Sequence, residues 1–169
     1  MAELKTPART RQVSWHDPLI TAKAGHSMAG LDFLKSMLDG KVPPPPICDT
    51  LGFILSEVSE GVAVFTSTPG EYHYNPIAVV HGGLAATLID SATGCAVHTT
   101  LPLGMAYTTV NLGVDFLRPI TTETGPLRCE GRITHRGSRI AIAEGKVMDA
   151  AGKVYVQGKS TCMIFKLAG

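Results

Sequence analysis

The chain has 169 residues, with 15 Lys and Arg against 14 Asp and Glu and no basic run, which suits one domain with a substantial core and argues against nucleic acid or a membrane surface as partner. The opening Met1-Ala2-Glu3-Leu4-Lys5-Thr6-Pro7-Ala8-Arg9 lacks the apolar core of a secretory signal, and no stretch approaches the roughly 18 apolar residues of a spanning helix; a cytoplasmic protein is expected. Cys48, Cys95, Cys129 and Cys162 are scattered without a Cys-x-x-Cys pair, and His16, His26, His73, His98 and His135 show no metal-ligand spacing, so neither a disulfide framework nor a metal site is expected.

From Met1 to about His26 no periodicity is visible, and an arm that wraps a neighbour or is poorly ordered is expected. Leu31, Leu34, Met37 and Leu38 predict a short amphipathic helix, stopped by Gly40 and by Pro43-Pro44-Pro45-Pro46, a run read as a stiff spacer. Residues 1–46 are thus an N-terminal arm and residues 47–169 the main domain. Strands are expected at Leu51 to Val58 and Gly61 to Ser67, joined as a hairpin through Ser59-Glu60-Gly61. After a loop holding Tyr72, His73, Tyr74, Asn75 and Pro76, a helix runs to about His98, before Pro102 and Gly104. Tyr107 to Leu117 alternates, with Val110, Leu112, Val114 and Phe116 on one face and Thr109, Asn111, Gly113 and Asp115 on the other. Leu127 to Thr134, Arg139 to Met148 and Val154 to Phe165, separated by turns at Gly137-Ser138 and Gly152, complete a three-strand meander.

Within the long helix, Leu84 to Val97 is small or apolar all round except for Asp90. A helix without a polar face belongs in the middle of a fold, where an unpaired ionised carboxylate costs several kcal/mol. Asp90 therefore marks a cleft, or else is satisfied by a nearby hydroxyl such as Ser91 or Thr93. His81-Gly82-Gly83 leads into the same helix. Its glycines let backbone come close to a ligand, and the first helical turn presents unpaired N–H donors. Donors and a carboxylate on one helix suggest chemistry at a carbonyl. Cys95 shares the helix but has no adjacent His or basic residue to activate it.

An antiparallel sheet curled around one long apolar helix is the economical single-domain arrangement, the α+β hotdog architecture. The face of the helix turned away from its own sheet then needs cover, which predicts a dimer. Asn75-Pro76, His81-Gly82-Gly83 and then Asp90, followed by Tyr107-Thr108-Thr109 and Phe116-Leu117-Arg118-Pro119, resembles the phenylacetate-degradation (PaaI-like) branch of hotdog-fold acyl-CoA thioesterases over roughly residues 51–165.

The resemblance implies hydrolysis of an acyl-CoA thioester to a free acid and coenzyme A, with no cofactor beyond the coenzyme A of the substrate. It implies that the Gly82 N–H, beside Gly83, is the oxyanion donor and that Asp90 is general base or nucleophile, the general base being favoured. It further implies that Asn75 orients water or carbonyl and that Thr109 helps hold the water. Asn75 could instead merely start a turn, Thr109 could be an ordinary strand residue, and His81 is more readily a loop-setting residue than a base. Arg118, Arg136 and Arg139 at strand ends or in a turn could meet coenzyme A phosphates, or be solvated charges.

Gly82 and Asp90 are eight residues apart, about 12 Å of helix at 1.5 Å per residue, too far to serve one carbon from one chain. A homodimer with shared sites is therefore expected, and the resemblance implies pairing of such dimers into tetramers. Two alternatives remain. A hotdog hydratase would carry Asp-x-Asn-Pro-x-His, of which this chain keeps only Asn75-Pro76. A non-catalytic acyl-CoA-binding protein would not need Asp90.

Overall fold

A computed structural model describes residues 6–167. Three helices, α1 (Pro18–Ser27), α2 (Gly30–Leu38) and α3 (Pro46–Leu51), precede a hairpin of β1 (Phe53–Ser59) and β2 (Val62–Ser67). The long helix α4 (Gly82–His98) follows, then β3 (Met105–Phe116), β4 (Leu127–Arg136), β5 (Ile140–Met148) and β6 (Val154–Lys166). The strands form one antiparallel six-stranded sheet in the order β1-β2-β4-β5-β6-β3, and its inner face packs on Leu84, Leu88, Ile89, Ala92, Ala96 and Val97 of α4. This is the hotdog fold expected from the sequence.

The floor beneath α4 is made of small residues. Gly131 of β4, Gly145 of β5 and Gly158 of β6 are register partners, so they form a row across three strands. A Cβ on Gly131 would stand 2.3 Å from the Ala92 carbonyl, and one on Gly145 would meet Ile89 and Thr93 side chains at 3.1 Å. The row leaves room for Ile89 to Thr93, the stretch of α4 that carries Asp90, to lie directly on the strands.

The N-terminal arm differs from the expectation. Its first five residues lie outside the described ones, but Pro18–Ser27 is helical, with the Asp17 carboxylate accepting from the Leu19 N–H at 2.9 Å and Pro18 in the first turn. Asp followed by Pro is a helix start, and an apolar stripe is missing because α1 packs through small residues. Its one buried residue is Thr21, and Gly25 lies against the Phe33 ring. The proline spacer is also shorter than expected: Pro46 opens α3, which ends at Gly52 in the left-handed region (φ 70°), so the strand begins at Phe53 rather than Leu51.

The helices α2 and α3 bear on the dimer argument. Phe33, Leu34 and Cys48 join the main core, with Cys95 of α4 packed against it, and the Phe33 and His98 rings lie 5.4 Å apart. The chain itself therefore covers the Cys95–His98 end of the α4 face that was expected to need a partner, while Ala86, Thr87, Asp90 and Ser91 stay half-buried.

Ala in place of Gly131 forces backbone apart, whereas Ala in place of Gly145 meets only side-chain ends. Overpacking costs about 1–3 kcal/mol. Gly131→Ala is expected at or above the top of that range and Gly145→Ala near the bottom, read from urea unfolding midpoints at constant m value.

Candidate active site

Asp90 sits half-buried on α4 and accepts a hydrogen bond at Oδ1 from the Thr109 hydroxyl of β3, at 2.9 Å. Thr93 donates to the Ile89 and Asp90 carbonyls instead, so the carboxylate's partner comes across from the sheet rather than from its own helix. The other oxygen, Oδ2, has no hydrogen-bond partner among the described residues. Since none of their buried side-chain polar atoms lacks a partner, Oδ2 is open to solvent.

Thr109 reaches Asp90 because of a β-bulge. In the β3–β6 ladder Thr109 pairs with Cys162 and Asn111 with Thr161, leaving Val110 as the extra residue. A bulge reverses the side-chain parity of a strand. Tyr107 and Thr109 therefore face the helix before it, and Leu112 and Val114 after it. This corrects the expected alternation: Val110 is exposed, and so is Phe116 at the strand's end.

At the other end of the site, His81 caps α4. Its Nδ1 accepts from the Gly83 N–H at 2.9 Å, and the His81 backbone N–H donates to the His73 carbonyl. A ring nitrogen held as an acceptor in a cap fits the loop-setting role. Gly82 opens the helix, and its N–H meets no acceptor among the described residues. It lies where the helix dipole is most positive. The Phe116 ring packs over it, 2.9 Å from where a Cβ would be.

The loop before His81 is built around Asn75. The Asn75 Oδ1 accepts from the Ile77 and Val79 N–H groups, and the Asn75 backbone N–H donates to the Val79 carbonyl, so Asn75 holds together the turn that follows it. Ala78 is held at φ 61°, a left-handed conformation that costs a non-glycine residue about 1–2 kcal/mol. Nothing in the sequence signals it. His73 anchors the loop from below, accepting at Nδ1 from the Gly70 N–H and donating from Nε2 to the Leu51 carbonyl.

Two cavities divide these residues. One of about 360 Å³ is lined by Asn75, His81, Gly82, Phe116 and Arg118, and the other, of about 260 Å³, by Asp90, Cys95, His98 and Tyr107 together with residues of α1, α2 and α3. Neither cavity contains both Gly82 and Asp90. Gly83 lines a further hollow with His81 and Tyr72. Arg118 is exposed, bonded to the Val154 carbonyl, and borders the first cavity. Arg136 and Arg139 flank the β4–β5 turn, with Arg136 on the Thr100 hydroxyl beyond the far end of α4. In one chain they border neither cavity, and the whole length of α4 separates that turn from Gly82.

Burial pushes the Cys95 thiol up to about 12, with Cys48 and Asp90 adding to the effect. The thiol stays protonated at neutral pH and is unsuited to nucleophilic attack. Burial also lowers His98, keeping its imidazole neutral. No group of three or more His, Cys, Asp or Glu side chains among the described residues is placed to hold a metal ion. No helix there is long and apolar enough to cross a membrane.

The sequence profile of the thioesterase superfamily matches residues 78–156. A phenylacetic acid degradation-related protein of known structure, from Ralstonia eutropha JMP134, is 30% identical, over 77% of this chain and 98% of that one, with a TM-score of 0.70. The chain belongs to the thioesterase superfamily. The Escherichia coli PaaI protein, from a phenylacetic acid degradation operon, shares the fold at 21% identity, over 85% of this chain and 98% of that one (TM-score 0.69). A Halobacterium salinarum protein whose name gives esterase as an unproven activity is 42% identical, over 43% of this chain and 47% of its own length. The chain spans about half the length of the curated relatives it matches.

The His73 anchor has a pH consequence. Burial, the largest influence, lowers its pKa below the ordinary 6.5, aided by Arg11 and opposed by the bond to Leu51. Between that lowered value and 6.5 the unfolded chain binds more protons, so stability falls with acidification across that window. His98 acts in the same direction. Glu130, lowered chiefly by its bond to Arg128, gives up its contribution only as pH drops through about 4.5 and below. The melting temperature should fall between pH 7.5 and 5.5, and His73→Gln should start lower but fall less over that interval.

Proposed function

We propose that this protein hydrolyses acyl-CoA thioesters, with Asp90 as general base and the Gly82 N–H as oxyanion donor. The observation that carries the reading is the Thr109–Asp90 hydrogen bond, which aims a carboxylate with one open oxygen into a largely apolar cavity. Asp90 takes a proton from water as the water oxygen bonds to the thioester carbon. The carbonyl oxygen gathers negative charge toward the Gly82 N–H and the positive end of α4. When the C–S bond breaks, the electron pair leaves with sulfur, and the proton held by Asp90 passes to the departing thiolate. Water is the second reactant, so the step balances without a cofactor. The Asn75 Oδ1 is engaged within its loop, so its part is to shape the cavity wall. Arg118, beside the same cavity, is suited to a phosphate of coenzyme A. A hydratase reading has less support, since His81 is held as a cap and Asp90 pairs with a hydroxyl rather than with a His.

The same reading makes the enzyme a dimer with shared sites. Two observations support it: the donor and the base line separate cavities in one chain, and β3 is an edge strand with exposed Val110 and Phe116. An unpaired edge is a template for another chain. Two α4 helices side by side and antiparallel would set one protomer's Asp90 opposite the other's Gly82, giving two equivalent sites.

Asp90→Asn is expected to lower kcat about 10²–10⁴-fold on a short acyl-CoA, with little change in binding. Thr109→Val should cost roughly ten-fold through loss of one charge-assisted hydrogen bond, with activity restored in Thr109→Ser. An Asp90→Asn protein that keeps most of its kcat would remove the base from the mechanism.

Subunit mixing tests the shared site. Asp90→Ala and Gly82→Pro chains, each inactive alone, should regain partial activity when exchanged, because a heterodimer holds one site with neither lesion. Gly82→Ala controls for the push on Phe116 while keeping the N–H. Verified exchange without recovery would overturn the arrangement.

A further inference from the structure

We propose that the N-terminal helices α1–α3 form the closed end of the acyl pocket and restrict the enzyme to uncharged acyl groups of medium length, a medium alkyl chain or one aromatic ring. This rests on the reading of Asp90 as the base, and it gives the N-terminal segment a role that the family profile, which begins at residue 78, does not cover.

The cavity that holds Asp90 runs along one stripe of α4, past Ser91 and Cys95 to His98. The eight residues from Asp90 to His98 amount to about 12 Å of helix rise, a depth too short for a long fatty-acyl chain. Sheet contributes Phe65 of β2 and Tyr107 of β3 to its lining, and the rest of the wall opposite α4 is the N-terminal segment: Thr21 of α1, Phe33, Leu34 and Met37 of α2, and Ile47 and Cys48 of α3. The thioester carbon must lie near Asp90, so the acyl chain has to extend between this wall and α4.

The wall is fixed in place. The Gly30 N–H donates to the Leu101 carbonyl at 2.9 Å, and a Cβ on Gly30 would lie 1.8 Å from the His98 carbonyl, so the start of α2 is set directly against the end of α4. The Thr21 hydroxyl holds the Pro43 carbonyl, and Arg11 bonds the Asp49 and Thr50 carbonyls. The Phe33 ring meets the His98 ring, and His98 in turn meets Tyr107 at 5.5 Å between ring centroids. A wall tied at both ends limits length, where a loose arm would yield.

Charge sets the second restriction. Among the described residues no Lys or Arg lines this cavity, and the one carboxylate among them that does is Asp90. His98 is held neutral and the Tyr107 phenol and Cys95 thiol are held protonated by burial. An acyl group ending in a carboxylate would lose its water there without a cation to meet it, and with Asp90 nearby.

The test compares kcat/KM for acetyl-, octanoyl-, phenylacetyl-, palmitoyl- and glutaryl-CoA in the full-length protein. Octanoyl- and phenylacetyl-CoA should exceed palmitoyl- and glutaryl-CoA by at least ten-fold. Met37→Trp fills the pocket and should lower the octanoyl-to-acetyl ratio at least ten-fold. Ile47→Arg, at a half-exposed position where a long cation can reach water, should raise the glutaryl-to-octanoyl ratio at least ten-fold. Ratios unchanged in both variants, or wild-type preference for palmitoyl- or glutaryl-CoA, would overturn the proposal. Titrating the Asp90→Asn protein with the same thioesters separates this from the hydrolytic reading. If the wild type hydrolyses none of them, the base assignment fails; the pocket proposal then stands if octanoyl-CoA still binds at least ten-fold tighter than glutaryl-CoA and Met37→Trp weakens it, and falls otherwise.

Discussion

The close approach of α4 to the sheet is the constraint on which the rest of this molecule depends. Helices ordinarily stand off a sheet by the thickness of a side-chain layer. Here a row of register-paired glycines, Gly131, Gly145 and Gly158, removes that layer beneath Ile89, Ala92 and Thr93. The neighbouring inward positions are also small, among them Ala141, Ala143, Ser160 and Cys162. Dispersion contacts between closely packed atoms hold the helix there, and the stretch over the glycines, Ile89 to Thr93, is the one that carries Asp90. That closeness brings a short carboxylate within reach of a strand hydroxyl.

The sheet answers with a second local device. Without the bulge at Val110, the parity of β3 would turn the Thr109 hydroxyl away whenever Leu112 and Val114 faced the core. One extra residue reconciles the two requirements, and the Thr109–Asp90 bond is its product. The helix start is organised separately. His81 takes the Gly83 N–H, leaving Gly82 as the donor nearest the cavity beside Asn75 and Phe116. Two chemically useful groups thus lie at different levels of one rigid helix, and rigidity is what keeps them apart within a chain.

The N-terminal helices change how the fold is read. An apolar helix needs cover on all sides, and part of the cover for the face away from the sheet comes from the N-terminal helices, where Phe33, Leu34 and Cys48 join the core beside Cys95; Ala86, Thr87, Asp90 and Ser91 stay half-buried. The case for self-association accordingly rests on the half-buried remainder of that face, on the β3 edge and on the separation of Gly82 from Asp90. The segment also converts a groove along α4 into a cavity with a floor.

Sequence by itself determined a good deal. Strand-like runs bounded by turn residues located β1, β2, β4, β5 and β6 to within a few residues. Asp90 stood out because a lone charge in an apolar helix has no cheap explanation, and the helix, its leading glycines and the hotdog architecture followed from that stretch. Helix α1 went unread because it packs through Thr21 and Gly25, although Asp17-Pro18 was a usable start signal. Tertiary structure alone decided the partner of Asp90, the bulge that supplies it, the strained Ala78 and the wall opposite α4. Each of these depends on which residues meet across large sequence separations. Periodicity reports only how a residue relates to its near neighbours, whereas Asp90 and Thr109, 19 positions apart, are brought together by packing.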